Sequence, residues 1–282
     1  MIRVSVVIPH FDDLTGLARC LDAVAAQSGD GVEVIVADNG SPVGPEAVGA
    51  VIANRARIVV ATERGAGAAR NAGVAASSGA VLAFTDADCV PKPGWLAAGE
   101  AALAQADLVG GAMVVSVADE PALTPGEAFE RVFAFDNRAY VEAKGFSVTA
   151  NLFTRRSVFD AVGGFRPAVS EDADWCLRAR DAGYRIAYAP AAVVAHPARR
   201  TWAALTGKWA RLTREGAALH RARGGSRLAW AARTALLPLS IVAHLPRVVR
   251  SPALTGARDR WVAAGVLARL RLWRLAVSLR EG

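Results

Sequence analysis

The chain has 282 residues, 53% apolar and 21% charged, a balance that excludes a largely disordered protein and suits one large α/β domain or two small ones. Its net charge is +7, and its three cysteines, Cys20, Cys89 and Cys176, are too few and too widely spaced for a disulfide framework or a CxxC zinc site, which fits a reducing compartment. No run of about 18 uncharged apolar residues occurs, so no ordinary membrane-spanning helix is expected, and the opening MIRVSVVIPHFDD turns acidic too soon for a signal peptide.

In chain order, Ile2–Pro9 reads as a buried strand stopped by proline, and Leu14–Ala26 carries Leu17, Leu21, Val24 and Ala25 at helical spacing. Val32–Ala37 is a second strand, ending in the turn-forming run Asp38-Asn39-Gly40-Ser41. Ala47–Ala53 is helical, Ala56–Ala61 a third strand, and Gly65–Ala76 a helix after a glycine loop. Ala80–Thr85 is a fourth strand, ending at Asp86-Ala87-Asp88. This alternation predicts βαβ units and a mostly parallel, Rossmann-like sheet flanked by helices. Leu108–Val117 is a further strand. Pro121–Ala143 reads as an irregular stretch followed by an amphipathic helix. Ser147–Thr154 is strand and turn, and Arg156–Val162 a short helix closed by Gly163-Gly164-Phe165. Glu171–Ala182 is a helix with acids in its first turn and Gly183 as its C-cap. Arg185–Ala189 and Val193–Ala195 are short strands, and from Thr201 on the pattern is helical and basic.

Ligands of such a sheet sit at the carboxyl ends of its strands. Three of those ends here are polar: Asp38, then Glu63 and Arg64, then Asp86 and Asp88. One such end is ordinary turn chemistry; three converging ends predict a site. Asp86 and Asp88, at i and i+2, can reach one divalent cation, and oxygen ligands suit Mg²⁺ or Mn²⁺. Such a cation would neutralise a diphosphate as a glycosidic C–O bond breaks. Glu171-Asp172 opens a helix about 85 residues later, where the acids complement the helix dipole or could supply a general base.

The runs Ser5-Val6-Val7-Ile8-Pro9, Ala37-Asp38-Asn39-Gly40-Ser41, Gly67-Ala68-Ala69-Arg70-Asn71-Ala72-Gly73, Thr85-Asp86-Ala87-Asp88, Asn151-Leu152-Phe153-Thr154-Arg155-Arg156, Gly163-Gly164-Phe165 and Glu171-Asp172-Ala173-Asp174, in this order, resemble an inverting family 2 glycosyltransferase of the GT-A fold. The resemblance spans about residues 3–200. It implies that Pro9, His10, Asp38, Asn39, Arg70, Asp86 and Ala87 surround a nucleoside-diphosphate sugar, with Asp38 on the base and Asp86 on the ribose. It implies Asp88, Asp86 and His196 as ligands of Mg²⁺ or Mn²⁺, Asp88 and Asp172 as catalytic residues with Asp172 the general base, and Asn151, Arg155 and Glu171 on the acceptor side. The acceptor would be a saccharide or a lipid-linked saccharide. His10 and Glu63-Arg64 depart from the common family pattern, and both departures touch the nucleotide pocket.

Residues 199–282 hold 17 Lys+Arg against three acids, for +14, and residues 1–198 carry −7. Five of the seven tryptophans, Trp202, Trp209, Trp230, Trp261 and Trp273, lie in the same stretch. A catalytic domain over 1–200 and a basic, Trp-rich helical tail over 201–282 are therefore expected. Trp and Arg on amphipathic helices point to peripheral attachment at the inner face of the cell membrane in a cytoplasmic enzyme. A lid or a homodimer interface is the alternative for the same residues. A nucleotidyltransferase would need a Gly-rich loop with a Lys after the first strand, where Pro9-His10-Phe11-Asp12-Asp13 stands. A nucleic-acid binder, suggested by a pI near 10, is disfavoured by the acidic body.

Overall fold

The computed structural model describes residues 2–281. In chain order its elements are β1 (Val4–His10), α1 (Leu14–Ala25), β2 (Val32–Asp38), α2 (Gly44–Ile52), β3 (Arg57–Val60), α3 (Ala66–Ala75), β4 (Val81–Phe84), β5 (Val90–Pro91), α4 (Trp95–Ala102) and β6 (Leu108–Ser116). They continue with α5 (Pro125–Phe133), α6 (Asn137–Ala139) with a π turn over Tyr140–Lys144, and a 3-10 turn at Thr149–Asn151. Then come β7 (Leu152–Arg155), α7 (Arg156–Val162), α8 (Glu171–Asp181), β8 (Ile186–Pro197), α9 (Trp202–Ala222), α10 (Arg227–Ala235), α11 (Leu239–Val249) and α12 (Ala257–Glu281).

Among the described residues eight strands form one mixed sheet in the order β3-β2-β1-β4-β7-β6-β8-β5. The half built from β1 to β4 is parallel, with Val4 beside Val32 and Val81, as βαβ crossovers require. Beyond β4 the sheet turns antiparallel, since β7 runs against both β4 and β6.

Contacts divide the chain into two compact units: residues up to Val114 with Asp136–Pro167 and Glu171–His196, and Val115–Phe135 with Ala168–Ser170 and the residues from Pro197 on. In the first unit, strand alternation sorts the core. Val4, Val6 and Ile8 of β1 join the cluster under α1, α2 and α4, whereas Val7 joins Phe84, Phe159, Phe165 and Trp175 under α7 and α8. In the second unit, α5 packs with α9, α11 and α12 around Phe129, Val132, Leu205, Val248, Leu267 and Leu270. The helical unit thus takes in residues 115–135 in addition to the basic C-terminal stretch.

One expectation differs, and two further stretches take their form from the structure. The two short strands expected over 185–195 are one twelve-residue strand, β8. Pro190 lies inside it, outside the two-residue ladder that β5 makes with Val194 and Ala195. β5 and α4 follow the Asp86–Asp88 turn, and Gly94, at φ 82°, caps the start of α4. The apolar run 235–245, which holds a proline, contains a helix break: α10 ends at Ala235, and α11 begins after Pro238.

Candidate active site

The parallel strands deliver their polar residues to one end of the sheet. His10 and Asp38 lie side by side in register at the ends of β1 and β2, and the Asp86–Asp88 turn follows β4, which flanks β1 on its other side.

Arg70, on α3, joins two of the predicted groups. Its Nη2 donates to Asp86 Oδ1 and its Nη1 to Glu171 Oε1, each at 2.6 Å. The guanidinium is 3% exposed and lies 5.9 Å from the Phe165 ring centre. Burial opposes its charge, but Asp86 and Glu171 outweigh that and hold its pKa above the ordinary value. α3 comes this close to α8 because residue 67 is glycine: a Cβ there would stand 3.2 Å from Phe165 Cβ and 3.3 Å from Glu171 Oε2. The acidic first turn of α8 is thereby tied to the exit of β4. Asp172 is half-buried on that turn, and its Oδ1 accepts the Ala173 N–H at 2.7 Å. Asp174 on the same turn is buried in a pair with Arg178.

Asp88 turns the other way from Asp86. Its Oδ2 lies 3.4 Å from His196 Nε2 on β8, and the Cys89 thiol lies 3.6 Å from its Oδ1. One ligand atom from each of Asp88, Cys89 and His196 falls within 4.8 Å of the others. Asp86, expected as a further metal ligand, is not in this group; two residues apart in a turn, the two carboxylates diverge, and Asp86 meets Arg70 instead. Burial, then Asp86, Asp88 and Cys20, push the Cys89 thiol well above its usual range, so it stays protonated. A carboxylate and an imidazole fit a divalent cation such as Mg²⁺ or Mn²⁺ that keeps its other positions for water and phosphate oxygens. Cys89 is the member that sequence reading passed over; its place directly after Asp88 was the available signal.

Around the β1 and β2 ends the structure holds a closed network. His10 and Asp38 are each 1% exposed. Asp38 Oδ1 accepts from His10 Nδ1 at 2.9 Å and from the Ser41 hydroxyl at 2.5 Å, and its Oδ2 accepts the N–H groups of Gly40 and Ser41. The Asp13 N–H donates to His10 Nε2, so Nδ1 carries the proton shared with Asp38. Burial opposes ionisation of Asp38, yet the Ser41 and His10 hydrogen bonds win and lower its pKa. The expected contact of Asp38 with a base therefore meets a carboxylate already engaged by protein donors. Asn39 cross-links two loops, donating to Glu63 O at 2.7 Å and accepting from Gly65 N at 2.6 Å. Pro9 is half-buried on β1, and Ala87 is buried with its carbonyl against the first turn of α1, 3.1 Å from where a Cβ on Gly16 would stand.

Two residues expected on the acceptor side have side chains engaged in structural contacts. Asn151 is fully buried; its amide donates to Ala112 O and Ala192 O and accepts from Trp95 Nε1, each at 2.9 Å. It ties β6, β8 and α4 together, with both amide N–H groups spent and its Oδ1 already accepting one bond. Arg155 pairs in register with Val81, at the start of β4, whereas the acidic turn follows that strand's end. Its guanidinium binds the carbonyls of Leu103 and Ala106. Sequence order hides this, because β7 runs antiparallel to β4 and carries its last residue away from the site. Glu171, the third acceptor-side residue, is at the site, bound to Arg70.

With this geometry in view, the description "Glycosyl transferase family 2" matches residues 5–168. The chain belongs to this family. It is similar to glycosyltransferase AglE of Haloferax volcanii, with 35% identity over 209 residues, 70% of this chain and 67% of that protein. It is also 33% identical over 214 residues to the pre-mycofactocin glycosyltransferase of Mycobacterium tuberculosis, spanning 71% of this chain but 44% of that longer protein. Among solved structures, the mannosyltransferase PcManGT of Pyrobaculum calidifontis, in complex with GDP-Man and Mn²⁺, superposes with a TM-score of 0.66 at 19% identity, covering 99% of this chain and 86% of that one. The fold is GT-A with a C-terminal helical extension, and the protein is a glycosyltransferase.

Proposed function

We propose that this family 2 enzyme moves a sugar from a nucleoside diphosphate to an acceptor hydroxyl with inversion, using Asp172 as general base. The observation that carries this reading is the Asp86–Arg70–Glu171 bridge, which links the acidic first turn of α8 to the turn after β4. The acceptor oxygen attacks the anomeric carbon and its proton passes to the Asp172 carboxylate. The bond to the β-phosphate oxygen breaks, and its electron pair leaves with the nucleoside diphosphate. Asp88 and His196 would hold the Mg²⁺ or Mn²⁺, which supplies charge neutralisation to the leaving diphosphate. Arg70 orients Asp86 towards the ribose and keeps Glu171 beside the base. Inversion and metal use are supported by the position of an acidic helix start opposite a metal-fitting turn and by the Mn²⁺ bound in the Pyrobaculum neighbour. The acceptor is a saccharide or lipid-linked saccharide.

The helical unit lies, in this reading, on the inner face of the cell membrane. Leu228, Leu236, Leu239, Val242, Val249 and Trp261 are exposed among its arginines. Among the described residues no single helix is long and apolar enough to cross a membrane; α10 and α11 pass that test only together, bent by 53°.

NMR of the product formed from an α-linked sugar donor tests the chemistry. A β-linked product is expected with Mn²⁺, and Asp172→Asn should lower kcat by about 10²–10⁴-fold while donor affinity stays within about twofold. A retained anomer, or an Asp172→Asn variant with ordinary kcat, overturns the assignment.

A further inference from the structure

The helical unit contains a second cluster that the transferase chemistry leaves unused. Trp230 Nε1 of α10 donates to Ser278 O of α12 at 3.2 Å, so α10 lies along the last turns of α12. One turn back on α12, the Arg274 guanidinium sits 4.2 Å from the centre of the Trp209 ring on α9. Thr213, one turn beyond Trp209 on α9, is 1% exposed. Three buried polar atoms here have no hydrogen-bond partner: Trp209 Nε1, Thr213 Oγ1 and Arg274 Nε.

The same place is crowded with unbalanced charge. Among the described residues Arg233, Arg271 and Arg274 form no ion pair, and α10 carries no acid. Glu215 of α9 is paired with Arg211, and Asp259 lies in the first turn of α12, far along the helix from Arg271. Burial, then Arg271 and Arg233, pull the Arg274 pKa down to about 10. Burial likewise lowers that of Arg271. A desolvated guanidinium without a counter-ion is costly to keep. Two of the three orphaned groups, an indole and a guanidinium N–H, can only donate, and the threonine hydroxyl can donate as well. Among the described residues no carboxylate pairs with these cations, and donors and guanidinium groups from three helices suit an anion with several acceptor oxygens.

We propose that α9, α10 and α12 form a phosphate-binding site in which Arg274, Arg271 and Arg233 supply charge and Trp209 and Thr213 supply donors. Guanidinium forks match a tetrahedral oxyanion in geometry and charge. The phosphate belongs either to a lipid headgroup, for which exposed Leu272 and Leu279 of α12 and Leu228 of α10 offer apolar neighbours, or to a soluble phosphate.

The test uses the full chain, titrated by calorimetry with inorganic phosphate and, separately, with phosphatidylcholine vesicles with and without phosphatidic acid. Wild type should bind one of these phosphate probes, and Arg274→Gln and Arg271→Gln should each weaken that binding about tenfold or more. Asp88→Asn, at the transferase site, should leave it unchanged, which separates the two sites. Binding of inorganic phosphate identifies a soluble ligand; binding only of phosphatidic acid vesicles identifies a lipid headgroup. Half-buried Arg271 gives an independent reading should Arg274→Gln unfold. If neither probe binds, or if both arginine variants bind as wild type, the cluster is packing alone and the proposal fails.

Discussion

Arg70 is the residue whose loss reaches furthest. Without it Asp86 and Glu171 face each other with no shared cation, and two carboxylates so placed repel. Arg70→Ala is expected to cost about 3–5 kcal/mol of stability in denaturant melts, because it breaks a buried charge bridge. It should also lower kcat/KM by more than about 10²-fold. Arg70→Lys keeps the charge but not the fork, so one carboxylate loses its partner; kcat/KM should stay well below wild type even where stability is mostly regained. Carboxylates also set the acid limit of the fold. Burial works against ionised Asp38, Glu33 and Glu127, but hydrogen bonds prevail: Ser41 and His10 on Asp38, Ser78 N–H and the Ser5 hydroxyl on Glu33, and Thr124 on Glu127. All three have native pKa values below their ordinary ones, so each contributes stability that is fully present above the unfolded-state values of 3.8 to 4.5 and is lost as pH falls through the native values. Denaturant midpoints should therefore be flat from pH 7 to about 5 and drop steeply below about 4. A midpoint unchanged at pH 3 would contradict this account.

At the scale of elements, α5 shows how local sequence and packing cooperate. Thr124 and Glu127 form a reciprocal capping box, Pro125 fills the first helical position, and the apolar face carries Phe129 and Val132 into the core of the helical unit. Thr124→Ala should cost about 1 kcal/mol, seen as a fall of about 2–4 °C in the melting temperature. Sequence reading found an amphipathic helix after an irregular start in this region, and the box T-x-x-E marks where it begins. β1 to β4, α1, α3, α7 and α8 were legible within a residue or two at most ends, since each carries its own period and its own stop signal. β5 was not: two residues have no period to read, and that strand exists only because β8 offers it a ladder. Arg155, expected on the acceptor side, falls at the other end of β4 for a related reason: β7 is antiparallel to β4, and that direction is set by a partner distant in sequence. Asn151, just before Leu152, stays level with the end of β4, where its amide is engaged by Ala112, Ala192 and Trp95.

For the whole molecule, charge divides along the chain: −7 over residues 1–198 and +14 over residues 199–282. A basic stretch with exposed leucines and the exposed Trp261 should be drawn to anionic lipid by charge and held by burial of apolar side chains. Flotation of the full chain with vesicles containing phosphatidylglycerol is expected at about 0.05 M salt and should weaken towards about 0.5 M, where the Debye length falls below the reach of surface charges. Leu239→Ser with Val242→Ser should reduce flotation further at every salt concentration. Equal flotation of wild type and variant, or a concentration-dependent dimer mass with no vesicle binding, would assign the apolar face to a protein contact instead.

Sequence by itself determined the elements with their own period, the acidic turns that end strands two and four, the acidic start of α8 and the uneven charge. These are properties of residues close together in the chain, where propensity and patterning act. Tertiary structure alone decided that Asp86 turns to Arg70 while Asp88 turns to His196, that Asp38 is consumed by His10 and Ser41, and that Asn151 holds strands together. Each of those outcomes depends on which distant group reaches a polar atom first once water has been excluded, and buried polar atoms take whichever partner the packing supplies.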